Sequence, residues 1–193
     1  FDSFEHYYSL YQRRNLDLWA EYADGKVTKE ELNRQRYLYP LEAVGAGDST
    51  LAKAYERDAL TMIPTKSKLM PHAREVLEYL SGKYNLYILS NGFKELQSHK
   101  MRSSGIDEYF KKVVLSDDIG ILKPWPEIFH FALSTTQSEL NNSLMIGDSW
   151  ENDIVGAAGV GMHQVFYNLS GRTDLPFAPT YQITDLKDLF NFL

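Results

Sequence analysis

The 193-residue sequence contains no cysteine, which excludes disulfide bonds, cysteine metal sites and thiol catalysis. No segment approaches the ~18 uninterrupted apolar residues of a membrane-spanning helix, and no signal-peptide pattern opens the chain. We therefore expect a cytoplasmic protein with no membrane partner.

Clustered basic charge is also missing. The 20 lysine and arginine residues are scattered, and 26 acidic residues bring the formal net charge to −6. A nucleic-acid groove usually needs a basic stripe, so we expect no nucleic-acid polymer as a partner. A small phosphate ester is compatible with this charge, because a metal ion and a few local donors can bind it.

The first third of the sequence lacks strand patterns. Apolar and aromatic residues recur there at helical spacing, which predicts three helices. Gly25 ends the first, a capping box at Thr28–Glu31 opens a second that runs through Leu38 and is ended by Pro40, and the third spans residues 48–62. We expect residues 1–66 to form an all-helical domain.

The remainder alternates between helices and short apolar strands, which predicts a mostly parallel sheet covered on both faces. The predicted strands are 86–90, 112–116, 143–147, 163–167 and 181–183. The predicted helices are 71–81, 93–104, 124–135, 150–158 and 185–192. We therefore expect an α/β fold in which residues 67–193 form a Rossmann-like domain beside the helical one.

The first predicted strand ends in Ser90, Asn91 and Gly92. In open α/β sheets ligands bind beyond the carboxyl ends of the strands. A hydroxyl and exposed N–H groups just before a helix form a ready anion site. Taken by itself, the segment is better explained by a plain turn with a helix cap.

Lys123 follows the second predicted strand, directly before Pro124, which fits the start of a helix. The lysine there is suited to hold a phosphate or to neutralise neighbouring carboxylates. Taken by itself, it is better explained as a solvated surface residue.

Gly147 and Asp148 follow the third strand, and Asp153 lies one turn into the next helix. Hard Mg²⁺ prefers carboxylate oxygens and keeps several waters, so two carboxylates on adjacent turns suit it. The competing interpretation is that both aspartates only stabilise a helix N-terminus.

In this order, the three segments resemble the motifs of the haloacid-dehalogenase superfamily. Ser90 matches its second motif, Lys123 its third, and Asp148 with Asp153 its fourth, while the helical first third is similar to its cap domain. The sequence around the motifs most resembles the bacterial pyrimidine 5′-nucleotidase-type branch.

The resemblance implies a Mg²⁺-dependent phosphatase acting on a small phosphate monoester such as a nucleoside 5′-monophosphate. Ser90 and the N–H groups of Asn91 and Gly92 would hold the phosphoryl oxygens, and Lys123 would stabilise the phosphate and the nucleophile. Asp148 would bind Mg²⁺ directly, and Asp153 through water or by positioning. The protein would be a monomer or a weak dimer.

The first motif of the superfamily, Asp-x-Asp after an apolar strand, is absent, because no two aspartates are separated by one residue. In the family, the first aspartate forms an aspartyl-phosphate and the second protonates the leaving oxygen. Neither role is assigned here. We expect the working protein to carry roughly 30–40 further residues upstream, enough for that strand.

Two alternatives stay open. A 2-haloacid dehalogenase needs no metal, and Asp148 argues against it. A catalytically inactive relative that binds phosphate or a partner protein would explain the missing motif. Among other residues, the cap tyrosines are expected to pack in the core, and Arg13, Arg14 and Arg36 to lie on the solvated surface.

Overall fold

A computed structural model describes residues 1–193, which divide into two compact units: Phe1–Thr65 (unit 1) and Lys66–Leu193 (unit 2). Unit 1 contains only helices and their connections, whereas unit 2 combines helices with parallel strands. The predicted α/β fold with an additional helical part is therefore confirmed. None of the helices is both long and apolar enough to cross a membrane.

Unit 1 consists of three helices: α1 (Phe4–Ala23), α2 (Lys29–Ala43) and α3 (Ser49–Met62), followed by a 3₁₀ turn, Ile63–Thr65. Each helix begins after a side chain whose oxygen accepts backbone N–H groups of the first turn. These caps are Ser3, Thr28 and Asp48. A buried apolar cluster holds the helices together, formed by Tyr37, Leu38, Leu41 and Ala52.

Helix α2 continues beyond Pro40, so the prediction that it ends there was wrong. Proline has no N–H and its ring crowds the carbonyl four residues earlier, which normally ends or kinks a helix. Here Pro40 and Leu41 are both buried, and this packing offsets the lost hydrogen bond. The helix stops at Ala43, two residues before Gly45, whose φ of 73° favours glycine.

Unit 2 contains five strands: β1 (Leu86–Ser90), β2 (Phe110–Leu115), β3 (Leu144–Gly147), β4 (His163–Tyr167) and β5 (Tyr181–Ile183). Its α-helices are α4 (Ala73–Ser81), α5 (Lys94–Ser104), α6 (Pro126–Thr136) and α7 (Gly156–Gly159). Short 3₁₀ segments lie at Asp107–Tyr109, Ser116–Asp118, Leu140–Asn142 and Leu186–Asn191.

All strand pairs are parallel, but they form two sheets, β1-β2 and β3-β4-β5. Strands β1 and β3 therefore each keep one edge without a strand partner. Every residue of β1 and β3 is only partly buried, whereas the three central residues of β4 are buried. No strand precedes β1, so the sequence-predicted motif strand has no counterpart in these residues.

The two sheets share apolar layers on both faces. One layer is built on α4 and the C-terminal segment, and both Leu86 of β1 and Leu144 of β3 pack against it. The other is built on α6 and α7, and it receives Leu89 of β1 and Met145 of β3. Strands of both sheets thus alternate their side chains between the same two layers.

The helix predicted over residues 150–158 is instead a π-helical turn, Trp150–Val155, followed by α7. The Ser149 carbonyl accepts the N–H groups of both Asp153 and Ile154, which widens the turn. Close packing fixes its far end: a Cβ on Gly156 would lie 2.6 Å from the ring of Phe129. This wide turn carries Asp153.

Candidate active site

Ser90, the last residue of β1, forms the first part of the site. Its Oγ accepts hydrogen bonds from the N–H of Gly92 at 3.0 Å and from Nε2 of Gln97 at 2.5 Å. A serine hydroxyl has two acceptor lone pairs and one proton. With both lone pairs used, the Ser90 proton is left to be donated to another acceptor.

Asn91 joins the end of β1 to the segment after β2. Its Oδ1 accepts the backbone N–H of Lys123 at 2.8 Å, and its Nδ2 donates to the Lys123 carbonyl at 3.0 Å. Both ends of the amide are thus committed to one residue, which is followed by a cis peptide bond to Pro124. The Asn91 side chain is thus anchored to the backbone of Lys123, and one of its two Nδ2 protons is not used by these bonds.

Lys123 is buried, contrary to the surface interpretation of this lysine. Its ammonium donates to the Leu89 carbonyl at 2.8 Å and to Oδ1 of Asp153 at 2.6 Å. An ammonium has three N–H donors, so one proton is not used by these two bonds. The structure therefore brings the second of the three predicted segments, at Lys123, into direct contact with the third, at Asp148 and Asp153.

Asp153 is 5% exposed, and both of its carboxylate oxygens are occupied. Oδ1 accepts from Lys123, and Oδ2 accepts the backbone N–H of Ser149 at 3.1 Å. Gly147 makes this approach feasible, because a Cβ there would lie 2.3 Å from Asp153 Oδ2. Asp153 is thus placed to position Lys123 and the 147–149 turn.

Asp148 differs from Asp153 in its position, its exposure and its hydrogen bonding. It lies directly after β3, its side chain is exposed, and no hydrogen bond or ion pair engages its carboxylate. A metal ion would find this carboxylate ready to coordinate, since no protein donor has to be displaced.

The wide turn after Asp148 is held from outside by Arg172. Its Nη1 donates to Glu151 at 2.6 Å, and its guanidinium lies 5.6 Å from the centre of the Trp150 ring. The hydrogen bond from Arg172 lowers the pKa of Glu151 and, in turn, raises the pKa of Arg172. Burial of Trp150 against Phe166 completes this support.

Two contributors to the site were not predicted from the sequence. Gln97 lies on the first turn of α5, seven residues after Ser90, and its partner becomes apparent only once the strand and helix are folded together. The Leu89 carbonyl, an acceptor for Lys123, is a backbone group that no side-chain pattern reports.

The structure brings some of the predicted site residues into contact with one another. Ser90 with Gly92, Asn91 with Lys123, and Lys123 with Asp153 are all in contact. Asp148 lies next to this group in the sequence. It directly precedes Ser149, whose N–H donates to Asp153. The roles in phosphate and metal binding stay predictions, and no nucleophile or general acid is assigned among these residues.

Comparison with known proteins places this geometry in a family. A family model described as haloacid dehalogenase-like hydrolase matches residues 2–161. The chain belongs to the haloacid dehalogenase-like hydrolases. The resemblance inferred from the three motifs is thereby confirmed.

Relatives in this hydrolase family span most of the chain. YfnB of Bacillus subtilis, named as a HAD-hydrolase, is 29% identical over 95% of the chain and 78% of its own length. The pyrimidine 5′-nucleotidase YjjG of Escherichia coli is 30% identical over 95% of the chain and 80% of its length. The pyrimidine 5′-nucleotidase PynA of Streptococcus pneumoniae is 27% identical over 97% and 79%.

A solved structure supports the same family fold. The crystal structure of B. subtilis YfnB bound to magnesium superposes with a TM-score of 0.87 at 28% identity, covering 97% of this chain and 82% of that one. The chain is thus a hydrolase of this family, related to pyrimidine 5′-nucleotidases and phosphatases.

Proposed function

We propose that the chain carries the phosphate- and metal-binding residues of a Mg²⁺-dependent phosphohydrolase acting on a nucleoside 5′-monophosphate, through an aspartyl-phosphate intermediate. The observation that supports it best is the buried Lys123–Asp153 pair at 2.6 Å, which ties together the ends of β1 and β3 and leaves Asp148 unengaged. The names of YjjG and PynA suggest the substrate class.

Donors at the strand ends suit a phosphoryl group. The free proton of Ser90 and the third ammonium proton of Lys123 are both available to phosphate oxygens. The Gly92 N–H is held by Ser90, so it would join only if this bond were released. Preorganised donors stabilise charge that develops on a transferred phosphoryl group without reorganisation during the reaction.

The site offers few acidic side chains as magnesium ligands. No group of three or more histidine or acidic side chains is arranged to hold a metal ion. Mg²⁺ is commonly bound by one or two carboxylates together with waters and substrate phosphate, so Asp148 would supply the direct protein ligand. Asp153 would act by positioning. When bound, Mg²⁺ would offset the negative charge of the phosphate.

We assign the role of substrate-selecting cap to unit 1, with the boundary predicted from the sequence at residues 66 and 67. The partner is a small phosphate ester and not a nucleic-acid polymer. The attacking aspartate and the general acid are left unassigned, because no Asp-x-Asp pair occurs in the chain.

The test separates binding from turnover. CMP and orthophosphate are titrated into the protein by calorimetry, in Mg²⁺ and then in excess EDTA. We expect binding in Mg²⁺ that EDTA weakens and that Ser90→Ala lowers about tenfold, the worth of a hydrogen bond to a charged group. Ser98→Ala, an exposed serine of α5, is the matched control.

Three outcomes decide between the alternatives. Equal binding in Mg²⁺ and EDTA would contradict the metal assignment. Metal-independent release of halide from 2-chloropropionate would identify a dehalogenase instead. Release of phosphate from CMP by these 193 residues would show that an attacking group lies among them, against the sequence prediction.

A further inference from the structure

Gln97 of α5 is a half-buried side chain that lies outside the three predicted segments. Its Nε2 donates to the Ser90 Oγ at 2.5 Å, and the backbone N–H of Gly92 donates to the same oxygen at 3.0 Å. Two N–H donors on one hydroxyl oxygen fill its two lone pairs. The Ser90 hydroxyl is therefore left with one further bond to make, in which it donates its proton.

The start of α5 places the Gln97 side chain on Ser90. The Gln97 N–H donates to the carbonyl of Phe93 at 3.0 Å, and the Phe93 side chain is only 3% exposed. Gly92 leaves the space that the glutamine occupies, because a Cβ there would lie 2.8 Å from Gln97 Nε2 and 3.0 Å from its Cγ. The absent side chain at position 92 and the amide at position 97 therefore fit together.

A second donor is held at the same end of β1. The Lys123 ammonium donates to the carbonyl of Leu89, the residue directly before Ser90, and keeps one proton unused. A tetrahedral dianion offers only acceptors, so the protein has to supply every donor. A Ser90 hydroxyl that turned a lone pair towards the anion would repel it, and the direction of its proton therefore matters for binding.

We propose that Gln97 is a positioning residue that fixes the Ser90 hydroxyl as a donor to a tetrahedral dianion. The inference rests on the proposed function, since it takes the phosphoryl group to lie beside Ser90. Gln97 itself does not touch the substrate and acts through the direction of one O–H bond. Without its amide, the Ser90 proton rotates among staggered positions, and only a fraction of the molecules presents it to the anion.

Sulfate in excess EDTA tests this arrangement without metal, nucleoside or turnover. Backbone-amide NMR shifts of the full chain, followed during a sulfate titration, give the affinity. We expect Gln97→Met to weaken sulfate binding about two- to threefold, as when one of about three staggered hydroxyl positions is productive. Methionine keeps the length of the side chain and removes the donor. Gln182→Met, at an exposed glutamine of β5, is the matched control and should change nothing.

Reversing the polarity at position 97 should have a larger effect. In Gln97→Glu the carboxylate accepts the Ser90 proton, so the hydroxyl no longer donates to the anion, and we expect sulfate binding to weaken about tenfold or more. The added charge also repels sulfate, so the same substitution is made together with Ser90→Ala. The difference between the two backgrounds isolates the part that acts through the hydroxyl.

Gly92→Ala reaches the same state by a different route. Its methyl group would displace the Gln97 amide from Ser90, so we expect sulfate binding to weaken as in Gln97→Met. Because both substitutions remove one contact, Gly92→Ala combined with Gln97→Met should be no weaker than either alone. Melting curves confirm that each variant is folded.

Three results would overturn the inference. The first is a wild-type protein that binds no sulfate. The second is equal or tighter sulfate binding by Gln97→Met, which would mean that the amide accepts the Ser90 proton. The third is an effect of Gln97→Glu that is the same with and without Ser90→Ala, which would reduce it to charge alone. Gln97-dependent sulfate binding in a protein whose CMP binding ignores Mg²⁺ would support the inference and contradict the proposed function.

Discussion

Unit 2 buries a lysine and an aspartate 2.6 Å apart, whereas unit 1 buries an arginine with no carboxylate partner. Asp153 has both oxygens satisfied, and Lys123 has two acceptors, so their charges are balanced before any ligand arrives. Arg36 has a sealed Nε without an acceptor. The difference indicates a matched, preorganised pair of charges in unit 2 and an unmatched buried charge in unit 1.

Breaking the paired charge should have the largest effect. Asp153→Ala leaves the Lys123 ammonium buried and unpaired, and we expect the free energy of unfolding to fall by about 3–5 kcal/mol in a urea titration. Asp107→Ala, an exposed carboxylate in the same unit, should change it little.

A double variant sharpens this result. Lys123→Met combined with Asp153→Leu removes both charges and should recover most of the lost stability. A loss below about 1 kcal/mol in Asp153→Ala alone would mean that the pair behaves as a solvated surface ion pair, contrary to its burial.

Tyr37, whose ring lies beside Arg36, should make the stability of unit 1 depend on pH in the alkaline range. Burial raises the pKa of Tyr37 to about 12, above the ordinary value of 10.0 for tyrosine. The buried neutral tyrosine therefore contributes fully to the free energy of unfolding below pH 10. This contribution, up to about 3 kcal/mol, is lost as the pH rises from 10 through 12. Tyr37→Phe should remove this part of the pH dependence of unfolding.

The exposed Tyr84 is the control for that measurement. Tyr84→Phe should leave the loss of stability between pH 10 and 12 as it is in the wild type. An identical alkaline profile for Tyr37→Phe would mean that the hydroxyl reaches solvent in the native protein.

Removing the unpaired charge should have the smallest effect on stability, with the opposite sign. Arg36→Met deletes a buried ion without stranding a partner charge, so we expect the free energy of unfolding to stay constant or rise by about 1 kcal/mol. A fall like that of Asp153→Ala would show that Arg36 is structural, and the contrast between the units would disappear.

Local patterns predicted much of this molecule. The cap at Thr28, the strands 163–167 and 181–183, and the segments at Ser90 and Lys123 follow from spacing and residue type. Those signals lie within a few residues of one another, so the folded context is not needed to read them.

Features set by tertiary contacts were not predictable. The continuation of α2 past Pro40 depends on the burial of that turn. The wide turn at Trp150–Val155 depends on the Ser149 carbonyl, which accepts the N–H groups of both Asp153 and Ile154. The burial of Arg36 has no local signature either, because arginine at helical spacing normally indicates a solvated face. In each case packing outweighed a correct local preference.

The most direct test of the central claim is Mg²⁺-dependent binding of orthophosphate to wild-type protein and to Asp148→Ala, measured by calorimetry. Asp148 is exposed and unengaged, so the variant should unfold within about 0.5 kcal/mol of the wild type while losing the Mg²⁺-dependent part of phosphate binding. Phosphate binding in Asp148→Ala that still responds fully to Mg²⁺ would contradict the account.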